Sequence, residues 1–163
     1  VDTTSDYLVA QIAAGADAVQ IFDSWAGVLP ELALERWSLA PIREIGRRVR
    51  QKYPDIPIIV FPRGAGIGYV PFAKDSEITA LSLDSSLPLK WAAETLQPKT
   101  VVQGNLDPQY LVCGGPPMLA EAERILTAFS GGLFVFNLGH GIVPQTPPDN
   151  VAALSDFIHS WRG

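Results

Sequence analysis

The chain has 163 residues, of which 47% are hydrophobic and 18% charged. It is long enough for one domain with a sizeable core, and wholesale disorder is excluded. Its net charge of −5 argues against the basic face of a general nucleic-acid or membrane-surface binder. The single cysteine, Cys113, excludes an internal disulfide and a zinc site built on several cysteines. No apolar run reaches the roughly 18 residues that span a bilayer, and no signal peptide is visible, so we expect a cytoplasmic setting.

Short β-rich segments alternate along the chain with stretches of helical period. Strands are predicted over residues 17–22, 56–61, 78–83, 100–104 and 133–137. The middle segments are nearly continuous apolar runs, which are typical of parallel strands covered on both faces.

Helices are predicted between and after these strands, at about residues 5–14, 41–50, 89–97, 117–129 and 146–161. Pro41 is expected to begin its helix, because a proline loses no hydrogen bond there. Gly131 and Gly132 are expected to end the fourth helix in a left-handed conformation. Thr146 is the expected N-cap of the last helix. The buried stripe of that helix is predicted to be Val151, Leu154, Ile158 and Trp161.

This alternation fits two architectures. One is a five-stranded doubly wound sheet that would be complete at this length, and the other is part of a (β/α)8 barrel, which needs about 250 residues. Polar or glycine-rich residues follow nearly every predicted strand, whereas a doubly wound sheet concentrates its site at one switch point. The pattern therefore favours the partial barrel slightly.

The glycine-rich loop at 64–68 follows the second strand, but its spacing matches neither common phosphate-binding fingerprint. The segment after it, starting at Tyr69, is a poor helix start, so we interpret the loop as a tight turn. Arg63 beside it could hold a carboxylate, lie in solvent or pair with a neighbouring acid.

Other candidate polar residues lie at the predicted strand ends. Ser24 could donate a hydrogen bond to a substrate or cap a turn, and no nucleophile elbow surrounds it. Asp23 and Asp84 could form a carboxylate pair, although helix capping is the favoured interpretation for each. His140 lies between two glycines, which leave room for a large ligand, or it hydrogen-bonds loop backbone.

The remaining reactive residues give weaker indications. His159 is predicted to lie at the surface or end of the last helix. Two histidines without clustered ligand spacing indicate no metal site. Cys113 falls in a Gly/Pro-rich loop without an activating neighbour.

Four motifs resemble the C-terminal half of the uroporphyrinogen decarboxylase family. Residues 136–151 (FNLGHGIVPQTPPDNV) resemble the C-terminal motif of the family at almost every position. Residues 20–27 (QIFDSWAG), 61–66 (FPRGAG) and 102–108 (VQGNLDP) resemble three further family motifs in order. One departure is Ser85, where family members often have tryptophan after Leu-Asp, so the loop beyond Asp84 is expected to line the cleft differently.

The resemblance implies a (β/α)8 barrel of about twice this length, of which residues 1–163 would be the last five βα units, the C-terminal part of a single domain. It implies removal of the four acetate carboxyl groups of uroporphyrinogen III to give coproporphyrinogen III in haem and chlorophyll synthesis, without a metal or organic cofactor. It also implies that Ser24 and His140 contact the substrate and that Phe22 lines the cleft. The family's catalytic aspartate and arginine cluster would lie upstream of Val1, so no catalytic residue is assigned here.

Expected partners are the uroporphyrinogen macrocycle, the N-terminal half of the same enzyme and, at full length, a second copy in a homodimer. No nucleic acid or membrane partner is expected. Because an unclosed barrel leaves strand edges unpaired, we expect this fragment to be ordered only with the upstream half and inactive alone. The alternatives are a cobalamin-linked or zinc methyltransferase of the same barrel superfamily and a small doubly wound binding module without catalytic activity.

Overall fold

The computed structural model describes residues 1–162 and divides the chain into two compact units. The first is Val1–Ser82, and the second begins at Leu83. In both units, helices alternate with strands along the chain, and the strand pairs described within each unit are parallel. The predicted alternation is therefore confirmed.

The first unit contains three strands and four α-helices. In chain order they are α1 (Asp2–Ala13), β1 (Val19–Asp23), α2 (Glu31–Leu34), α3 (Ala40–Lys52), β2 (Ile58–Pro62), α4 (Tyr69–Ala73) and β3 (Ala80–Ser82). The β1–β2 register runs from Val19 opposite Ile58 to Asp23 opposite Pro62, and β3 pairs with the other edge of β2. This register brings the loops after β1 and β2 to the same end of the sheet.

The helix around Pro41 begins earlier than predicted. A π-helical turn over Glu35–Leu39 joins α2 directly to α3, so Pro41 is the second residue of α3 and the helical backbone runs through it. The expectation that Pro41 begins the helix is therefore wrong. The π-helical turn changes the backbone hydrogen-bond pattern just before the position where proline offers no N–H.

The second unit contains two strands and four helices. They are α5 (Leu89–Thr95), β4 (Val101–Leu106), α6 (Pro108–Cys113), α7 (Gly115–Phe129), β5 (Phe134–Leu138) and α8 (Pro148–Ser160). The register of β4 and β5 runs from Val102 opposite Phe134 to Leu106 opposite Leu138. Phe129 at the end of α7 is fully buried, and its ring stacks on Phe134 with 4.8 Å between centroids. This stack fixes α7 against β5.

The helix ends of the second unit correct two predictions. α7 ends at Phe129, and its C-cap Ser130 has a right-handed conformation. The Ser130 hydroxyl donates to the Thr127 carbonyl, so neither following glycine needs a left-handed conformation. Pro147, not Thr146, is the N-cap of α8, and the Thr146 hydroxyl is buried without a hydrogen-bond partner in the described part of the chain.

The predicted stripe of α8 is only partly buried. Leu154 is buried, but Val151 is 39% exposed, and Ile158 and Trp161 are half-buried. α8 contacts α6 and α7, and Leu154 is the residue of the stripe that this packing covers fully. The sequence pattern therefore identified the packed face of α8 but overstated its burial.

Candidate functional site

The end of β1 presents two of the predicted binding residues to solvent. Phe22 is 66% exposed, and its ring packs edge-on against Phe61 with 6.1 Å between centroids. Ser24 is exposed, and within residues 1–162 its hydroxyl forms no hydrogen bond. An aromatic face and an unengaged hydroxyl therefore lie within three residues of one another, where a ligand can reach both.

Asp23 organises this loop. One carboxylate oxygen accepts the Ser38 hydroxyl at 2.6 Å, and the other accepts the backbone N–H of Trp25 at 3.2 Å. The aspartate therefore caps a turn and anchors it to the helical segment after it. The prediction that Asp23 caps a helix is wrong, because the N–H it accepts belongs to the turn two residues on.

The loop after β2 is joined to the Ser24 loop through backbone contacts. The Arg63 N–H donates to the Asp23 carbonyl at 3.0 Å, and the Gly27 N–H donates to the Arg63 carbonyl at 2.9 Å. A Cβ atom on Gly27 would lie 2.7–2.9 Å from the backbone of Gly64, so only glycine fits there. The Arg63 side chain is exposed and has no carboxylate partner in the described part of the chain.

The glycine-rich segment forms the tight turn that we predicted. Gly64 and Gly66 have φ values of +74° and +56°, which favour glycine, and a 3-10 turn covers Gly66–Gly68. The turn leads directly into α4, which begins at Tyr69. The expectation that this segment is a poor helix start is therefore wrong: the 3-10 turn has already placed the backbone in a helical conformation.

The first of the strand-end loops in the second unit contains Asp84. Asp84 is buried, and one carboxylate oxygen accepts hydrogen bonds from the Ser86 backbone N–H, at 3.0 Å, and from the Ser86 hydroxyl. Helix α5 begins only at Leu89, with Pro88 at its N-cap. Asp84 therefore caps a turn rather than the helix predicted for it, because the loop has closed on itself before the helix starts.

His140 lies just after β5. Its side chain is exposed, and its Nδ1 atom lies 3.4 Å from the Gly141 carbonyl oxygen, beyond the usual range of a hydrogen bond between nitrogen and oxygen. Gly139 before it is buried, and its N–H donates to the Leu106 carbonyl at 2.7 Å. This hydrogen bond fixes the backbone next to His140, while its exposed imidazole remains accessible to a ligand.

Other reactive side chains lie outside these loops. His159 is exposed in the last turn of α8, with its Nδ1 atom 2.8 Å from the Ser155 carbonyl oxygen, which confirms its predicted place. Cys113 is exposed and is the last residue of α6. The prediction that it lies in a loop is therefore wrong. Within residues 1–162, no three side chains among His, Cys, Asp and Glu are grouped closely enough to hold a metal ion.

None of the described helices combines the length and apolar character needed to cross a membrane.

The strongest electrostatic effects lie on α3 of the first unit. Glu44 accepts hydrogen bonds from Arg47 and Arg48, which lower its pKa from 4.5 to about 2. The Asp75 carboxylate raises the pKa of Arg43 through a 2.5 Å hydrogen bond. These three arginines of α3 therefore form ion pairs with carboxylates of the same unit, in contrast to Arg63.

The sequence and the fold are both similar to those of known proteins. Residues 1–161 match the profile of a family described as uroporphyrinogen decarboxylase (URO-D). A uroporphyrinogen decarboxylase of Rhodospirillum rubrum is 52% identical over 99% of this chain and 47% of its own length. One from a Chelativorans species is 50% identical over 98% of the chain and 46% of its own length. The chain thus spans about half the length of the curated relatives that it matches.

A solved structure supports the fold. A methyltransferase from Methanosarcina mazei superposes with a TM-score of 0.78 over 96% of this chain and 45% of its own, at 22% sequence identity. The predicted partial (β/α)8 barrel is confirmed, and the doubly wound module is not favoured. At that identity the likeness concerns the fold alone, so it does not favour the methyltransferase alternative over the family that the sequence matches. The chain belongs to the uroporphyrinogen decarboxylase family.

Proposed function

We propose that this chain is the C-terminal part of an enzyme that converts uroporphyrinogen III to coproporphyrinogen III by removing its four acetate carboxyl groups. The observation that carries the proposal is the match of residues 1–161 to the family profile, supported by relatives of that name at 42–52% identity. The reaction is a carbon–carbon bond cleavage that releases CO2, and the proposal includes no metal or organic cofactor. The enzyme would act in the cytoplasm, as a homodimer at full length.

In this proposal Ser24, Phe22 and His140 bind the substrate. The exposed Ser24 hydroxyl can donate to a substrate carboxylate, and the exposed ring of Phe22 can pack against the face of a pyrrole. The His140 imidazole can donate to a carboxylate or accept from a pyrrole N–H, because its ring nitrogens can serve either role. Each side chain follows or ends a parallel strand, which is where (β/α)8 barrels carry their active sites.

We assign the proton transfers of the reaction to residues outside this chain. Decarboxylation of a pyrrole acetate needs protonation of a ring carbon, after which the electron pair released when CO2 departs forms an exocyclic methylene. The methylene carbon then takes up a proton to become the methyl group, and the ring carbon gives up the proton that it had received, so one proton is consumed for each CO2 released. We assign these steps to the aspartate and arginine cluster that the family carries in its other half, together with which this chain would form one barrel domain. No residue of this chain is proposed as a catalytic acid or base.

Charge gives a further reason to involve the other half. A chain with a net charge of −5 repels a polyanionic macrocycle at long range, so the attraction has to be concentrated in the cleft. Arg63 is exposed without a carboxylate partner in the described chain, but one guanidinium cannot neutralise many carboxylates. The proposal therefore requires additional cations from the remainder of the barrel.

The test is a chimera. The part of the Rhodospirillum rubrum relative that this chain does not match is joined ahead of Val1, and decarboxylation is followed by chromatography of the products. His140→Asn should slow turnover or release partly decarboxylated intermediates. Ser24→Ala should be milder, costing about 1 kcal/mol in apparent binding for one lost hydrogen bond. His159→Asn is the matched control, because the hydrogen-bond partner of the His159 ring within residues 1–162 is Ser155 of its own helix.

Two outcomes separate the parts of the proposal. A folded chimera that does not decarboxylate uroporphyrinogen would contradict the function itself. An active chimera in which His140→Asn leaves rate and product distribution at the level of His159→Asn would contradict the role of His140 while leaving the function intact.

A further inference from the structure

Asn105 holds together the loop that follows β3. It lies in β4 and is only 5% exposed. Its side-chain Nδ2 donates to the backbone carbonyl of Asp84 at 3.1 Å and to that of Leu87 at 3.2 Å. The two carbonyls lie at the two ends of residues 84–87, so a single amide group bridges the whole loop.

The orientation of this amide is determined by its partners. Turning it over would place Oδ1 against two carbonyl oxygens, which offer no proton. In the observed orientation Oδ1 is buried without a hydrogen-bond partner among residues 1–162. An unpaired buried acceptor disfavours the folded state, so the amide is not explained by stability of the core alone. The structure instead explains Asn105 by the two backbone carbonyls, those of Asp84 and Leu87, that its Nδ2 atom bridges.

The bridged loop supports the backbone next to His140. A Cβ atom on Gly139 would lie 2.9 Å from the Cα atom of Ser85 and 2.9 Å from the Asn105 carbonyl oxygen. Gly139 is therefore packed directly against both the bridged loop and Asn105 itself. Its N–H also donates to the Leu106 carbonyl at 2.7 Å, so the segment is fixed from two sides.

His140 depends on this backbone for its position. Within residues 1–162, the one polar approach of its ring is that of Nδ1 to the Gly141 carbonyl at 3.4 Å, and Gly141 is its own neighbour in sequence. No hydrogen bond from another element holds the imidazole within the described chain. A displacement of Gly139 would therefore move the ring directly, since one peptide bond separates the two residues.

We propose that Asn105 is a positioning residue for His140, acting through the loop of residues 84–87 and Gly139. The consequence for catalysis rests on the proposed function, in which His140 binds the substrate. The geometric part does not, because it concerns only where the imidazole lies.

Asn150 provides a matched control in the same unit. Its Nδ2 also donates to two backbone carbonyls, those of Leu111 at 2.9 Å and Val112 at 3.2 Å. Asn150→Ala therefore removes the same kind of bridge as Asn105→Ala, but from the end of α6. Neither Leu111 nor Val112 belongs to the loop next to Gly139, so only Asn105→Ala should affect His140.

The geometric test is NMR of the histidine rings in the full chain, joined to the relative's segment as above. This chain has two histidines, whose ring signals are assigned by His140→Asn and His159→Asn. Asn105→Ala should shift or broaden the His140 ring signals, with those of His159 unchanged. Asn150→Ala should leave both rings as in the parent. Unchanged His140 signals in folded Asn105→Ala protein would overturn the proposal.

The functional test compares the same variants at matched folded fraction. Asn105→Ala should lower kcat about tenfold and release intermediates, as His140→Asn does, with a smaller change in KM. Asn150→Ala should lower only the melting temperature. Equal kinetic losses in the two asparagine variants would show a general effect of stability and overturn the proposal. Shifted His140 signals in a folded parent without decarboxylase activity would contradict the proposed function and leave the positioning role standing.

Asn105→Ser covers the case in which the alanine variant does not fold. A serine hydroxyl can donate to one of the two carbonyls, so this variant should give an intermediate shift of the His140 signals and an intermediate loss of kcat. Failure of both variants to fold would contradict the proposal, because it assigns Asn105 a local role.

Discussion

Gly27→Ala tests the closest backbone approach in the first unit. A Cβ atom at this position would lie 2.7 Å from the carbonyl oxygen of Gly64 and 2.9 Å from its Cα atom. Both atoms belong to backbone, so neither can rotate away, and the two loops have to separate. Overpacking of this kind costs about 1–3 kcal/mol. The loss is measured in the chimera with the relative's segment, because the chain alone is expected to be ordered only with the upstream half.

The assay is thermal unfolding of a graded set of glycine variants. Gly68→Ala also introduces a close contact, at 2.6 Å, but with the Cδ2 atom of Leu34, which can change rotamer, so a smaller loss is expected. A Cβ atom on Gly131 meets nothing within 4 Å, and Gly131→Ala should be close to neutral. The expected order of destabilisation is Gly27, then Gly68, then Gly131. A Gly27→Ala protein as stable as Gly131→Ala would refute the packing of the Ser24 and Arg63 loops described above.

Three further predictions concern single side chains. Arg47 and Arg48 lower the pKa of Glu44 from 4.5 to about 2. The stability that this carboxylate contributes is therefore present above pH 4.5 and is lost as the pH falls towards 2. Glu44→Gln should flatten that part of the pH–stability curve, and an unchanged curve would contradict the prediction. Phe129→Ala removes a fully buried ring stacked on Phe134 and should cost about 3–5 kcal/mol in chemical denaturation, whereas a loss below about 1 kcal/mol would contradict that packing. Cys113 is exposed, so a thiol reagent should modify it in the folded protein without prior unfolding, and protection until unfolding would refute its placement at the end of α6.

The strands and the longer helices were predictable because their signals are local. The apolar run at 56–61 indicated β2, and the period of Ile42, Ile45 and Val49 indicated the buried face of α3. The short helices α2, α4 and α6 were missed, since a few residues cannot display a helical period. The ends of helices were predicted poorly because capping depends on competing partners. Ser130 capped α7 before its glycines were needed, and Thr146 lies one residue too early for α8.

The candidate site was predictable to the extent that motifs carry it. Ser24, Phe22 and His140 were identified through resemblance and are exposed in the structure. Gly27 was not recognised, and Gly139 was credited only with leaving room beside His140, because the importance of both lies in the approach of loops that are distant in sequence. Asn105 was quoted within a motif but given no role, since a buried amide that bridges two carbonyls leaves no periodic or compositional signal.

The central claim is that this chain supplies the C-terminal part of a uroporphyrinogen decarboxylase, and turnover by the chimera measures it most directly. Purified chimera is incubated with uroporphyrinogen III under reducing conditions, and the products are separated by their number of carboxyl groups. The account predicts stepwise loss of four carboxyl groups ending in coproporphyrinogen III, with no turnover by the relative's segment alone. A folded chimera that returns uroporphyrinogen unchanged would contradict it.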